Sequence, residues 1–223
     1  MFDVRRRARR EDGAVAVEAA LVIPILCLLV FGMIEFSFIM RDYASVASMS
    51  RSGARLASTA AGTGPATCYT YTGAPTCTSA SAPAAAQIAV DAIQRSGTVA
   101  DPTAINYVIV YKANDSGFPG TLSAIPSTGC GGAANCVQFN WVVSQGAFRY
   151  AGGSWNSQSI SACFPGTSAT PLDKVGVYVS TTHQMMTGLF GSSISISNRT
   201  VMNFEPLPTT SCTGNGPTSA GHL

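Results

Sequence analysis

The hydrophobic residues form one long run near the N-terminus and several shorter runs later in the chain. Residues 19–34 carry no charge, and the apolar character continues past Glu35 as far as Met40, where an Arg-Asp pair ends it. With Glu35 included, the run from 19 to 40 contains 22 residues. A membrane-spanning helix needs about 20 apolar residues. The pattern therefore predicts a transmembrane helix, which we place at residues 14–40.

The charges on either side of this run predict its orientation. The arginines that precede it are Arg5, Arg6, Arg7, Arg9 and Arg10. The pair that follows, Arg41-Asp42, is neutral. Because cytoplasmic loops of membrane proteins are enriched in basic residues, residues 1–13 are expected in the cytoplasm and residues 41–223 outside it. A buried core helix and a cleaved secretory signal are the alternatives. However, the run exceeds the signal's apolar core of about 7–15 residues, and no small-residue cleavage site follows it directly.

Beyond the predicted span, apolar and small residues recur at every third or fourth position, which is the spacing of one helix face. This stripe consists of Tyr43, Val46, Met49, Gly53, Leu56 and Ala60. The sequence thus predicts one continuous helix from about Gly13 to Thr59, of which residues 41–60 extend outside the membrane. Pro24 lacks a backbone N–H, so a mild kink is expected there. The stripe is expected to pack against the domain's own sheet, with an intersubunit surface as the alternative.

The rest of the chain alternates between turn-rich segments and short apolar runs. Residues 61–86 are uncharged and rich in Ala, Thr, Ser and Pro, which predicts a flexible linker. An extracytoplasmic domain is expected at residues 87–204. Residues 205–223 are rich in Pro, Thr and Gly and are expected to be disordered.

The patterns in this region predict one short helix, Ala84–Arg95, and then about four strands. The predicted strands are Ile105–Lys112, Val137–Val143, Val175–Thr181 and Ser193–Phe204. A helix followed by strands with hairpin-length links indicates an α+β fold, in which a small antiparallel sheet carries a helix on one face.

Composition and motifs argue against two classes of function. Charged residues make up 11% of the chain, against about 25% in typical soluble domains, and the C-terminal part has no basic patch that would bind nucleic acid. The sequence contains no Gly-x-Ser-x-Gly elbow, phosphate-binding loop or His-Glu-x-x-His motif. His183 and His222 stand alone. We therefore expect no enzyme activity, no cofactor, no metal site and no nucleic-acid partner.

Cysteine usage fits an oxidising compartment. Cys27 lies in the apolar run, where it serves as a small hydrophobic residue. The other six are Cys68, Cys77, Cys130, Cys136, Cys163 and Cys212. Their even number outside the predicted span indicates disulfides, with about 15 possible pairings. Short loops favour 68–77 and 130–136, which leaves 163–212. Metal binding is the alternative, but no Cys-x-x-Cys pair is present.

Glu18 lies one turn into the apolar run, where an acid needs an explanation. In one interpretation it stays at the level of the cytoplasmic headgroups. In the other, the chain is cut after Gly13, so that Ala14 becomes the N-terminus and Glu18 its fifth residue. The acid would then pair with the freed amine of a neighbouring subunit in a medium of low dielectric constant.

This arrangement of Gly, four residues and Glu after a basic leader resembles the class III signal of type IV pilins and pseudopilins. The longer run, EDGAVAVEAALVIPILCLLVFGMIEFSFIMRDYASVASMSRSGARLAS, resembles the N-terminal signature of the TadE-like family. The residues that carry the resemblance are Gly13, Ala14, Glu18, Pro24, Phe31, Gly32, Glu35, Phe36, Gly53, Ala54 and Arg55. Ala14 stands where major pilins often have Phe.

The resemblance implies a pilin-like fold and a pseudopilin-like component of type IV, tight-adherence pilus biogenesis, acting in adhesion and secretion through helix-mediated assembly. It implies a bacterial inner-membrane location with a single span and a periplasmic or extracellular domain. The implied partners are a prepilin peptidase, the pilus assembly platform, other pseudopilins and the lipid bilayer. The alternative function is an uncleaved, membrane-anchored envelope or surface-binding domain that does not enter a filament.

Overall fold

The computed structural model describes residues 4–67, 73–75, 78, 81–96, 101–163, 171–188 and 191–207. Two compact units divide the chain. The first consists of Met1–Arg41 and Gln184–Ile194, and the second of Asp42–His183 and Ser195–Leu223.

Two α-helices and a five-stranded sheet make up the described fold. The helices are α1 (Val4–Ser58) and α2 (Ala84–Arg95), and the strands are β1 (Ile105–Ala113), β2 (Cys136–Val142), β3 (Ala147–Ser154), β4 (Lys174–Gln184) and β5 (Ser193–Asn203). The strand order is β3-β2-β1-β4-β5, and β1 pairs antiparallel with both β2 and β4. The predicted α+β class, with a long N-terminal helix before an antiparallel sheet, is confirmed.

Helix α1 is longer at its N-terminus than the sequence pattern predicted. It begins at Val4 rather than near Gly13 and contains Pro24 without ending there. The basic leader consists largely of Arg, Ala and Glu, which are good helix formers, so the helix extends back through it. Helix α2 has the bounds that the sequence predicted.

Strand β3 was missed by the sequence analysis. Its second half contains Gly152 and Gly153, both with positive φ, and a glycine pair is typical of a loop rather than a strand. Gly153 is required because a Cβ atom there would lie 2.2 Å from the carbonyl oxygen of Cys136. In addition, Val143, predicted to end the preceding strand, begins a short 3-10 turn and is exposed.

One face of the sheet is covered by the segment that joins β1 to β2. Ile109, Tyr111 and Ala113 are buried on this face together with Cys130 and Cys136, which form a disulfide. This connecting segment, and not a helix, thus covers that face of the sheet.

Two residues of this covered face fit each other closely. The ring of Tyr111 occupies the space above Gly176, where a Cβ would lie 2.3 Å from the ring. The Tyr111 hydroxyl donates a hydrogen bond of 3.0 Å to the carbonyl oxygen of Gly117.

Within the second unit, the buried face of α1 differs from the predicted stripe. Tyr43 and Leu56 are exposed. The buried residues are Val46, Met49, Ser50, Gly53, Ala54, Ala57 and Ser58. Most of them are small because the helix packs closely on its neighbours, and large side chains would hold the backbones apart.

Polar contacts fix α1 to the last strand. The Ser50 hydroxyl donates to Asn198 Oδ1 at 2.9 Å and lies 3.0 Å from Thr200 Oγ1. The Glu205 amide then donates to the Ser58 carbonyl at 2.9 Å. The described beginning of the predicted disordered tail is therefore hydrogen-bonded to the fold.

The remaining sequence predictions concern segments that are described only in part. Cys163 is disulfide-bonded, whereas Cys68, Cys77 and Cys212 lie outside the described residues. In the predicted linker, the Ala66 amide donates to the Ala82 carbonyl at 2.9 Å, so its described ends pair with each other.

Candidate functional site

The first half of α1 presents apolar side chains that no other part of the described structure covers. The exposed large apolar residues here are Val15, Val17, Leu21, Val22, Ile23, Ile25, Leu26, Leu28, Leu29, Val30, Phe31, Met33, Ile34, Phe36 and Met40. The helical stretch Gly13–Ser58 is long and apolar enough to cross a membrane, and it is the one such helix among the described residues. A core helix would bury its apolar face, so this surface indicates a membrane anchor.

The residues predicted for processing lie on this uncovered helix. Gly13, Ala14 and Glu18 are all exposed, and nothing lies within 4 Å of the position that a Cβ of Gly13 would take. Ala14 and Glu18 are four residues apart, so their side chains lie on the same face of the helix. The structure therefore keeps both available to a second molecule.

The next group of family-motif residues lines a shallow apolar groove on α1. The groove is formed by Leu28, Leu29, Gly32, Met33, Phe36 and Ser37. Gly32 supplies the depression because it has no side chain, and Phe36 forms one wall. Phe31 and Pro24 are exposed elsewhere on the same helix.

Glu35 is the one buried residue within positions 13–41 of α1. Its side chain is 1% exposed. Glu35 Oε1 accepts a hydrogen bond of 3.0 Å from the Met186 amide, and Oε2 accepts bonds of 3.2 Å from both the amide and the hydroxyl of Thr187. The sequence pattern included Glu35 in the apolar run but gave it no partner. Its partners follow 151 residues later, and no local pattern connects the two segments.

A second acid pairs with His183, which stands alone in the sequence. His183 Nδ1 lies 2.7 Å from Asp42 Oδ2, and both side chains are largely buried. His183 is on β4 and Asp42 is on α1, within the same unit. The pair joins the helix to the sheet at the point where β4 ends.

The third group of motif residues packs the helix inside the second unit. At Gly53, a Cβ would lie 3.1 Å from Ile93 Cδ1 and 3.2 Å from the Ala89 carbonyl oxygen. Gly53 thus allows α1 and α2 to approach closely, and Ala54 beside it is buried. Arg55 is exposed. The Gly-Ala-Arg motif combines two packing positions with one charged position on the surface.

Among the described residues, no three His, Cys, Asp or Glu side chains are grouped as metal ligands would be. Acids of α1 contact later segments of the described chain at Glu35, which accepts hydrogen bonds from Met186 and Thr187, and at Asp42, which pairs with His183. Each of these contacts attaches α1 to the segment around the end of β4.

Comparison with known proteins finds a family match in the N-terminal part of the chain. The family model described as TadE-like protein matches residues 13–55. The resemblance stated from the sequence is therefore confirmed for this segment, which contains every motif residue discussed above. No curated protein matches the chain, and no solved structure matches it.

Proposed function

We propose that this chain, similar to TadE-like proteins over residues 13–55, is a pseudopilin-like component of type IV, tight-adherence pilus biogenesis anchored in the bacterial inner membrane. It acts by helix-mediated assembly rather than by catalysis. The observation that carries the proposal is the uncovered apolar half of α1, which has the length of a membrane span and the motif residues of the family.

The charge distribution supports one orientation for this anchor. The arginine-rich leader before Gly13 would remain in the cytoplasm, and the sheet domain would lie in the periplasm or outside the cell. The disulfide between Cys130 and Cys136 is compatible with such an oxidising compartment.

Glu18 and Ala14 are the residues we assign to processing and assembly. A prepilin peptidase would cut after Gly13 and free the amine of Ala14. The carboxylate of Glu18 in a neighbouring subunit would then form an ion pair with that amine within the bilayer. Opposite charges attract strongly in this medium, and either charge alone would be costly to bury there. The partners in this proposal are other pseudopilins and the assembly platform.

The N-terminal sequence of the mature protein tests the cleavage directly. Ala14 at the N-terminus is the expected result. Met1 at the N-terminus of the membrane-bound protein would instead favour an uncleaved, membrane-anchored surface-binding domain that does not enter a filament.

Substitution of Glu18 tests the assembly step. Glu18→Ala should leave the protein in the membrane fraction but abolish its cross-linking to other pilus components in cells. Leu21→Ala, three residues later on the same exposed helix, is the matched control and should cross-link normally. Normal assembly of Glu18→Ala would show that the proposed role of this acid is wrong.

A further inference from the structure

The segment that joins β4 to β5, residues 185–192, is unusual for a loop of an exported domain. Four of its eight residues are Met, Leu or Phe, and residues 184–198 contain no Asp, Glu, Lys or Arg. We call its first four residues, 185–188, all of them described, the hairpin tip. Leu189 and Phe190 lie outside the described residues. Met186, which is described, has 75% of its surface exposed.

The hairpin tip belongs to the same compact unit as the apolar half of α1. Gln184–Ile194 is grouped with Met1–Arg41, apart from the rest of the sheet. Glu35 makes the connection through its three hydrogen bonds to Met186 and Thr187.

Helix geometry indicates the depth of Glu35 in a bilayer. The sixteen uncharged residues 19–34 span about 24 Å at a rise of 1.5 Å per residue. The hydrocarbon core is about 30 Å thick, so it extends past Glu35 towards Met40. At that depth an acid is costly unless it has hydrogen-bond donors.

The hairpin tip, in turn, has backbone amides that need a hydrogen-bond acceptor. The Met185 amide donates to the Ser192 carbonyl at 3.0 Å, but the amides of Met186 and Thr187 point away from the strand ladder to Glu35. Unpaired backbone groups cannot enter a bilayer without a large cost. Glu35 accepts hydrogen bonds from both amides. The carboxylate and the two amides thus satisfy each other and do not need water as a partner.

We infer that the hairpin tip is a second membrane-contacting element, inserted into the outer interface of the bilayer beside α1, with Glu35 as the residue that allows its backbone to enter. This inference rests on the proposed role of α1 as the anchor. The exposed side chain of Met186 adds to the apolar surface of that helix, and the absence of charge in this segment is what insertion at this depth requires.

Depth measurements on the full-length protein in phosphatidylcholine–phosphatidylglycerol liposomes test the inference. Nitroxide labels are attached to Met186→Cys, Leu29→Cys and Val143→Cys in a Cys27→Ala background. Val143 is the matched control because it is 74% exposed and lies in the sheet domain, whereas Leu29, 58% exposed, reports on the anchor. Labels in lipid collide more with oxygen than with a water-soluble nickel complex.

The expected result is that the labels at 186 and 29 are in lipid and the label at 143 is in water. A lipid-exposed label at 29 with a water-exposed label at 186 would overturn the inference and leave the anchor intact. Water exposure at both positions would overturn the anchor itself. Lipid exposure at all three would mean that contact is not specific to the tip, which also overturns the inference.

A second measurement tests the role of Glu35. Adding Glu35→Ala to the Met186→Cys protein should raise the nickel-complex collision rate at position 186 to the value measured at position 143. Glu18→Ala removes an exposed acid from the same helix and should leave that rate unchanged. An unchanged rate in the Glu35→Ala protein would show that Glu35 does not hold the tip in the bilayer.

Discussion

The two halves of α1 differ in which side chains are buried: in the first half large apolar side chains are exposed, and in the second half most buried side chains are small. Residues 15–40 include many large apolar side chains that remain exposed, while residues 46–58 bury Ser, Gly and Ala as well as Val46 and Met49. A hydrophobicity pattern alone would assign the core to the first half. The comparison shows that close backbone approach marks the half of α1 that packs in the sheet domain, whereas bulky apolar side chains mark the half that no other described residue covers.

The largest difference in stability is expected when one methionine in each half of α1 is replaced by alanine. Met49 is 1% exposed and Met33 is 62% exposed. Met49→Ala should destabilise the sheet domain by about 2–5 kcal/mol, because it leaves a cavity as well as removing buried surface. Met33→Ala should change its stability by less than about 0.5 kcal/mol. Urea unfolding of the full chain in detergent measures both, and equal losses would break the comparison.

Two glycines of α1 with different surroundings, Gly53 and Gly13, provide the next test. Gly53→Leu should cost about 1–3 kcal/mol, since the new side chain would displace Ile93 and the backbone at Ala89. Gly13→Leu meets no neighbour and should leave the unfolding midpoint unchanged. A normal midpoint for Gly53→Leu would mean that α1 and α2 are not closely packed.

The last effect concerns Tyr111 on the covered face of the sheet and is absent at neutral pH, since it appears only under alkaline conditions. Burial raises the pKa of Tyr111 to about 12, against an opposing effect of Arg199. The unfolded chain ionises near pH 10, so the folded state retains its proton longer and stability should fall as the pH rises from about 10 to 12. Tyr111→Phe should flatten that part of the unfolding profile. An identical slope in this variant would assign the loss to another group.

The elements that the sequence predicted correctly are those with a local pattern. The apolar run of α1, the alanine-rich α2 and the valine alternation of β4 each follow from spacing within one segment. Strand β3 was not predicted, because its glycine pair has no side chains and so shows no alternation of apolar and polar residues. The predicted stripe on α1 included Tyr43 and Leu56 because both are apolar residues at helical spacing, whereas the buried face consists mostly of small residues.

The candidate site was less predictable than the fold. Sequence motifs identified Glu35 as a family residue, but its donors at Met186 and Thr187 arise from tertiary contact. The same is true of Asp42 and His183. The family match, limited to residues 13–55, gives no information on these later partners.

The hydrogen bonds between Ser50 and the last strand join residues 148 and 150 positions apart. Contacts of such large sequence separation form late, since the intervening chain must lose its freedom before they are made. A nascent molecule that has emerged only as far as β4 therefore lacks the strand that receives Ser50. The domain can be completed only after β5 has been synthesised, and a truncation before Ser193 should leave β4 as the sheet edge, prone to pairing with other chains.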